Sequence, residues 1–76
     1  MTIGIIEDDR LLNQALNKFL TDNGYDTVCA HSREEALATA AGHPDLWLID
    51  IGLPDGNGLE LYRELSDVRQ VPAGFL

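Results

Sequence analysis

Two sets of acidic residues stand where chemistry could be done. Glu7-Asp8-Asp9 follows the apolar run Thr2-Ile3-Gly4-Ile5-Ile6, and Asp50 closes the apolar run Leu46-Trp47-Leu48-Ile49. A charge is costly inside an apolar sheet, so each acid belongs where its strand emerges. If the two strands are neighbours, Glu7 and Asp8 approach Asp50. At about 4 Å and an effective dielectric near ~20, a pair of like charges costs about 4 kcal/mol. A proton or a cation must relieve that repulsion. Oxygen donors without histidine or cysteine support favour a hard ion such as Mg²⁺. Carboxylates, waters and phosphate oxygens around Mg²⁺ suggest phosphoryl chemistry, with an aspartate as nucleophile or a phosphate held by the ion. The plainer alternatives are a strand-ending Asp50 that only bonds loop amides and an acidic loop that is simply solvated. His31 and His43 have no companion at metal-ligand spacing and read as loop residues.

The elements that must position these acids follow from periodicity. The runs at 2–6 and 46–49 are short and almost wholly apolar, as in strands of a parallel sheet buried on both faces. Between them, Leu11, Leu12, Ala15, Leu16, Phe19 and Leu20 make one helical stripe, with Asn13, Gln14, Asn17 and Lys18 predicted to face outward. Asn23-Gly24 closes that helix, Gly24 as a left-handed cap. Tyr25 to Ala30 alternates roughly and reads as an edge strand. Ser32-Arg33-Glu34-Glu35 is a capping box opening a second helix, whose small-residue face is Ala36, Leu37, Ala40 and Ala41. Gly42-His43-Pro44 stops it. Asn57, with Glu60 three residues on, caps a third helix whose apolar side is Leu59, Leu61, Tyr62 and Leu65. Residues 71–76 begin a fourth strand. The order β-α-β-α-β-α-β, with helices between strands, argues for right-handed parallel crossovers. Ligands bind such sheets at the carboxyl ends of the strands, the rim that carries all the acids named above.

Composition narrows the partners. The 76 residues allow one domain, and a hydrophobic content of 45% is too high for disorder. Thirteen acids against five bases give a net charge of −8, which argues against contact with a nucleic-acid backbone and suits cations or basic partner surfaces. Cys29 is the single cysteine and reads as a small buried hydrophobe in a reducing compartment. There is no signal-peptide pattern and no apolar run of membrane-spanning length, so the expectation is a cytoplasmic chain without membrane contact.

Ile5-Ile6-Glu7-Asp8-Asp9, with Leu48-Ile49-Asp50-Ile51-Gly52-Leu53-Pro54-Asp55-Gly56-Asn57-Gly58, resembles the receiver domains of response regulators in bacterial two-component signalling. The spacing from the acidic pair to Asp50 fits, as does the D-x-x-L-P-x-x-x-G run, and the resemblance extends over essentially the whole chain. Its details are most similar to receivers of winged-helix transcriptional regulators. It implies a flavodoxin-like α/β three-layer sandwich with parallel sheet order 2-1-3-4. It implies that Asp50 accepts a phosphoryl group from a histidine kinase. It implies Mg²⁺ held by Asp8 directly, by Glu7 through water, by Asp50 and by the backbone carbonyl of Gly52. Pro54 and Gly58 correspond to residues that shape the loop, and Asp9 to no family role beyond first-turn helix charge.

The resemblance also sets departures. Family members run to five strands and five helices, so residues 1–76 read as a single receiver domain truncated in its fourth strand. The Ser or Thr that ends that strand, the Lys of strand five and the output domain lie outside the chain. The expectation is a non-enzymatic signalling module, impaired in phosphorylation, whose uncovered sheet face and edge drive homo-oligomerisation, most simply a two-fold dimer. The alternative is a structural fragment that folds by homo-oligomerisation without a working site. An aspartate-nucleophile phosphatase is disfavoured because Asp50-Ile51-Gly52 lacks the second acid of a D-x-D pattern. A Ca²⁺ loop at Asp55 to Gly58 fails because Leu59 stands where an oxygen ligand is needed.

Overall fold

The computed structural model describes residues 1–39 and 43–76. The elements are β1 (Thr2–Ile6), α1 (Arg10–Asp22), β2 (Asp26–Ala30), α2 (Arg33–Thr39), β3 (Leu46–Ile49), β4 (Gly52–Leu53), β5 (Gly56–Asn57), α3 (Gly58–Val68) and β6 (Ala73–Phe75). The main sheet runs β2-β1-β3-β6, every pair parallel. This is the expected 2-1-3-4 order, with β6 as the fourth strand and β2 at an edge. One feature is additional: the loop after β3 contains a short antiparallel hairpin, β4 with β5.

The register brings the acids to one rim. Ile6 stands opposite Ala30 on one side and Ile49 on the other. Glu7 N–H then donates to Ala30 O at 3.0 Å, and Asp50 N–H to Ile6 O at 2.8 Å. On one face, Ile6, Trp47 and Ile49 pack with Ala36 of α2 and with Leu61 and Leu65 of α3. On the other, Ile3 and Ile5 pack with Leu20 of α1. Burial on both faces is only half met in β3. Trp47 and Ile49 are buried, whereas Leu46 and Leu48 are half-buried beside α1. Cys29 is likewise half-buried rather than enclosed.

Helix α1 is rotated from its predicted setting. Asn13, predicted to face water, is instead 1% exposed, while Leu11 and Phe19 are 79% and 64% exposed. The inward positions are Asn13, Leu16, Asn17 and Leu20, an i, i+3, i+4, i+7 face. The cause is hydrogen bonding at the strand ends. Asn13 Nδ2 donates to Glu7 O at 3.0 Å and to Ala30 O at 2.9 Å. Buried carbonyls need donors, and this amide serves two strands at once. Asn17 accepts the Thr27 hydroxyl, tying α1 to β2. Gln14 and Lys18 are not part of this buried face.

The punctuation residues act where the sequence places them. Asn23 caps α1 and Gly24 follows at φ +88°, in the left-handed region. Ser32 Oγ accepts Glu35 N–H at 3.1 Å, whereas the Glu35 carboxylate turns to His31 Nδ1 at 3.2 Å. Ala36 is buried, but Leu37 of the predicted small-residue face is exposed. Ala40, Ala41 and Gly42 lie outside the described residues. Asn57 Oδ1 accepts Leu59 N–H and Glu60 N–H, as a cap of α3. Tyr62 Oη donates to Val71 O at 2.7 Å and its ring meets Phe75 edge-on, which seats β6.

Candidate functional site

Parallel pairing of β1 and β3 delivers the predicted acids to one place. Glu7 and Asp8 follow β1, Asp50 follows β3, and one carboxylate oxygen from each lies within 4.8 Å of the others. Glu7 is buried at 5% exposure, Asp50 is half-buried and Asp8 is exposed. The Asp9 carboxylate is not in this cluster, although the Asp9 N–H donates to Glu7 Oε2 at 3.4 Å. Its Oδ1 accepts Leu11 N–H at 3.0 Å and Leu12 N–H at 3.2 Å, so it is the N-cap of α1 rather than a first-turn charge.

Burial and crowding divide the carboxylates. Glu7 is pushed up from 4.5 to about 7, chiefly by loss of hydration and then by its hydrogen bonds to Asp50 and Asp8. Asp50 moves the other way, mainly because Glu7 hydrogen-bonds to it and also because Gly52 N–H does. The proton shared by this pair therefore resides on Glu7, the more buried member. Without a cation the cluster holds a proton near neutrality; a divalent ion would displace it.

The loop after Asp50 is built to hold that carboxylate. Gly52 N–H donates to Asp50 Oδ1 at 3.0 Å, which fixes the carboxylate on the rim beside Glu7. Gly58 N–H donates to Ile51 O at 2.9 Å. A Cβ on Gly58 would strike Asp50 O and come within 2.8 Å of Ile51 Cα, so only glycine lets α3 begin this close to Asp50. The predicted loop-shaping role of Gly58 has this steric cause. Pro54 sits in the hairpin turn between β4 and β5.

Three oxygen donors of mixed burial, with a raised carboxyl among them, fit a hard divalent cation. Glu7, Asp8 and Asp50 are such a set. Gly52, expected to contribute a carbonyl, is on the adjoining loop with its N–H engaged by Asp50. His31 and His43 are not in this group; the His31 ring nitrogen Nδ1 is instead 3.2 Å from Glu35 Oε1.

Two residues that matter here are not signalled by the sequence. Asn13 supports the backbone of Glu7 from below, and no amphipathic pattern points to it. Asp55, considered only for the rejected Ca²⁺ loop, reaches from the β4–β5 turn to the start of α2. The Pro54-Asp55-Gly56 turn signature could have announced the hairpin, though not its partner.

Comparison with known proteins agrees with this geometry. Residues 3–75 match the response regulator receiver domain family. The transcriptional regulatory protein CpxR of Klebsiella pneumoniae is 35% identical over 72 residues, covering 95% of this chain and 31% of that protein. CssR of Bacillus subtilis, also a transcriptional regulatory protein, is 36% identical over 65 residues, covering 86% of this chain and 29% of that protein. The chain thus spans about three-tenths of these relatives' length. A two-component response regulator from Clostridium difficile superposes with a TM-score of 0.94 at 30% identity, over 99% of this chain and 63% of that one. A CheY-like receiver domain protein from Methanospirillum hungatei superposes with a TM-score of 0.92 at 29% identity, over 97% of this chain and 61% of that one. With the acids of β1 and β3 at one rim, the parallel β2-β1-β3-β6 sheet and a match over residues 3–75, the chain belongs to the response regulator receiver domain family.

Proposed function

We propose that Asp50 is the phosphoacceptor of a two-component response regulator and that Glu7, Asp8, Asp50 and the Gly52 carbonyl hold Mg²⁺ beside it. The observation that carries this reading is the convergence of three carboxylates from two adjacent parallel strands. Gly52 N–H holds Asp50 Oδ1, and the Asp50 carboxylate is the nucleophile. Its attack on the phosphohistidine of a histidine kinase forms a P–O bond and breaks the P–N bond. The departing ring nitrogen takes a proton from solvent, so the histidine leaves as neutral imidazole. Bound Mg²⁺ supplies charge neutralisation between the carboxylates and the incoming phosphoryl oxygens. Glu7 must be ionised to serve, and Asn13 and the β1–β2 pairing keep it on the rim. The whole protein would be a cytoplasmic transcriptional regulator, as the names of its curated relatives suggest, with this chain as its non-enzymatic receiver. Among the described residues no helix is long and apolar enough to cross a membrane.

Calorimetric titration with MgCl₂ tests the site: saturable binding lost in Asp50→Asn supports it, and absence of binding refutes it. Incubation with acetyl phosphate, read by intact mass, tests the acceptor. A single phosphoryl group on a small fraction of the wild type, in keeping with an impaired acceptor, and none on the variant is the expected result. An unmodified wild type would mean that this chain alone is impaired as an acceptor.

A second reading concerns assembly. Leu11, Phe19 and Leu76 are exposed, and β6 and β2 are the two edges of the sheet. Such surface favours a homodimer that covers it. Size-exclusion chromatography with light scattering at micromolar concentration should give twice the chain mass; a clean monomer refutes this reading.

A further inference from the structure

The β4–β5 hairpin is too short to hold its own position. It has two residue pairs, Gly52 with Asn57 and Leu53 with Gly56, and isolated hairpins are marginal even when longer. Its turn is fastened to a distant element instead. Asp55 Oδ1 accepts Arg33 N–H at 2.8 Å and Oδ2 accepts Glu34 N–H at 3.2 Å, both in the first turn of α2. Arg33 Nη2 then donates to Glu64 Oε1 of α3 at 2.6 Å. Gly56 lies against the Arg33 stem, since a Cβ there would come within 2.9 Å of Arg33 Cδ.

Helix α2 already has a cap of its own. Ser32 takes Glu35 N–H through Oγ and Ala36 N–H through its carbonyl. Asp55 takes the remaining two N–H groups of the first turn. Its two bonds therefore join α2 to the hairpin, and the hairpin begins at Gly52, whose N–H holds Asp50 Oδ1.

We propose that Asp55 is a positioning residue: by clasping α2 it sets the place of Gly52 and of the Asp50 carboxylate, and so sets the cation affinity of the rim. This rests on the cation site proposed above. Asp55 touches neither the cation nor the phosphoryl group and acts through Gly52. Occupancy of the rim is, by the same path, felt at the Arg33 and Glu34 amides.

The test uses the whole 76-residue chain, with Mg²⁺ alone as probe. In the wild type, the Arg33 and Glu34 amide resonances shift with the same midpoint as that of Gly52. Asp55→Ala should weaken Mg²⁺ binding about tenfold, the low end for residues that orient metal ligands from behind, and uncouple Arg33 and Glu34 from the titration. Asp55→Asn keeps one of the two acceptor oxygens and so one of the two bonds to α2, and should restore part of the affinity. Unchanged affinity in Asp55→Ala overturns the proposal and leaves the cation site standing. Equal weakening in Asp55→Ala and Asp55→Asn, with amide exchange at Gly52 unchanged in both, also overturns it, because lost charge would then be the cause. Should the wild type bind no Mg²⁺, the cation site falls, and metal-free hydrogen exchange judges the clasp separately. Faster exchange at Gly52 and Gly58 in Asp55→Ala, partly reversed in Asp55→Asn, supports positioning; equal exchange in all three proteins overturns it.

Discussion

Glu7→Gln is the substitution that examines the electrostatics of the rim most directly. Glu7 titrates at about 7 in the folded chain against 4.5 for the free group. The folded state thus keeps a proton that the unfolded state loses, and stability falls as pH rises from about 4.5 to about 7. At about 1.4 kcal/mol per unit, the full shift is worth about 3 kcal/mol. The rim is partly open to water, which screens the penalty, so about 2 kcal/mol is the expected net cost. Glutamine has the shape and donor capacity of the protonated acid without its ionisation. In metal-free buffer near pH 8.5, the variant should be about 2 kcal/mol more stable, which raises Tm by about 8–16 °C for a chain of this size. Near pH 5 the two proteins should differ by less than about 1 kcal/mol, because the folded wild type is then protonated. Urea unfolding followed by the fluorescence of buried Trp47 measures both conditions. Millimolar MgCl₂ should stabilise the wild type and not the variant. Equal stability of the two proteins at alkaline pH would refute the reasoning, since Glu7 would then carry its charge in the rim without penalty.

Three further outcomes are expected. Mg²⁺ affinity should fall about tenfold from pH 8 to pH 6, because a group titrating near 7 must lose its proton first; calorimetry in buffers of different ionisation enthalpy would count the released proton. Gly58→Ala should destabilise the fold by about 2–3 kcal/mol, as its methyl group meets Asp50 O and Ile51 Cα, read as a lower urea midpoint with an unchanged slope. Asn13→Leu should cost about 1–3 kcal/mol, because Glu7 O loses its side-chain donor while Ala30 O keeps only the Glu7 N–H. Loss of amide-exchange protection at the β1–β2 rim would locate that damage.

Much of the rim is legible in the chain itself. Apolar runs, capping residues and a left-handed glycine are local signals. They mark β1, β3, the Ser32 and Asn57 caps and the Gly24 turn, and hence the strand ends where Asp50, Glu7 and Asp8 lie. Right-handed crossovers then leave little choice of sheet. The setting of α1 is not legible, because a stripe of six apolar residues says nothing about two strand-end carbonyls that converge on one side-chain amide. Those carbonyls belong to Glu7 and Ala30, and only their parallel pairing brings both under Asn13. Asp55 is hidden for a related reason: its partners Arg33 and Glu34 are more than twenty residues earlier, and no periodicity spans that gap. The division of charge between Glu7 and Asp50 is likewise decided by tertiary structure. Residue types supply three equivalent carboxylates, and unequal burial at the rim makes one of them the proton carrier. Sequence alone determined which residues could do chemistry; packing decided their protonation and what holds them in place.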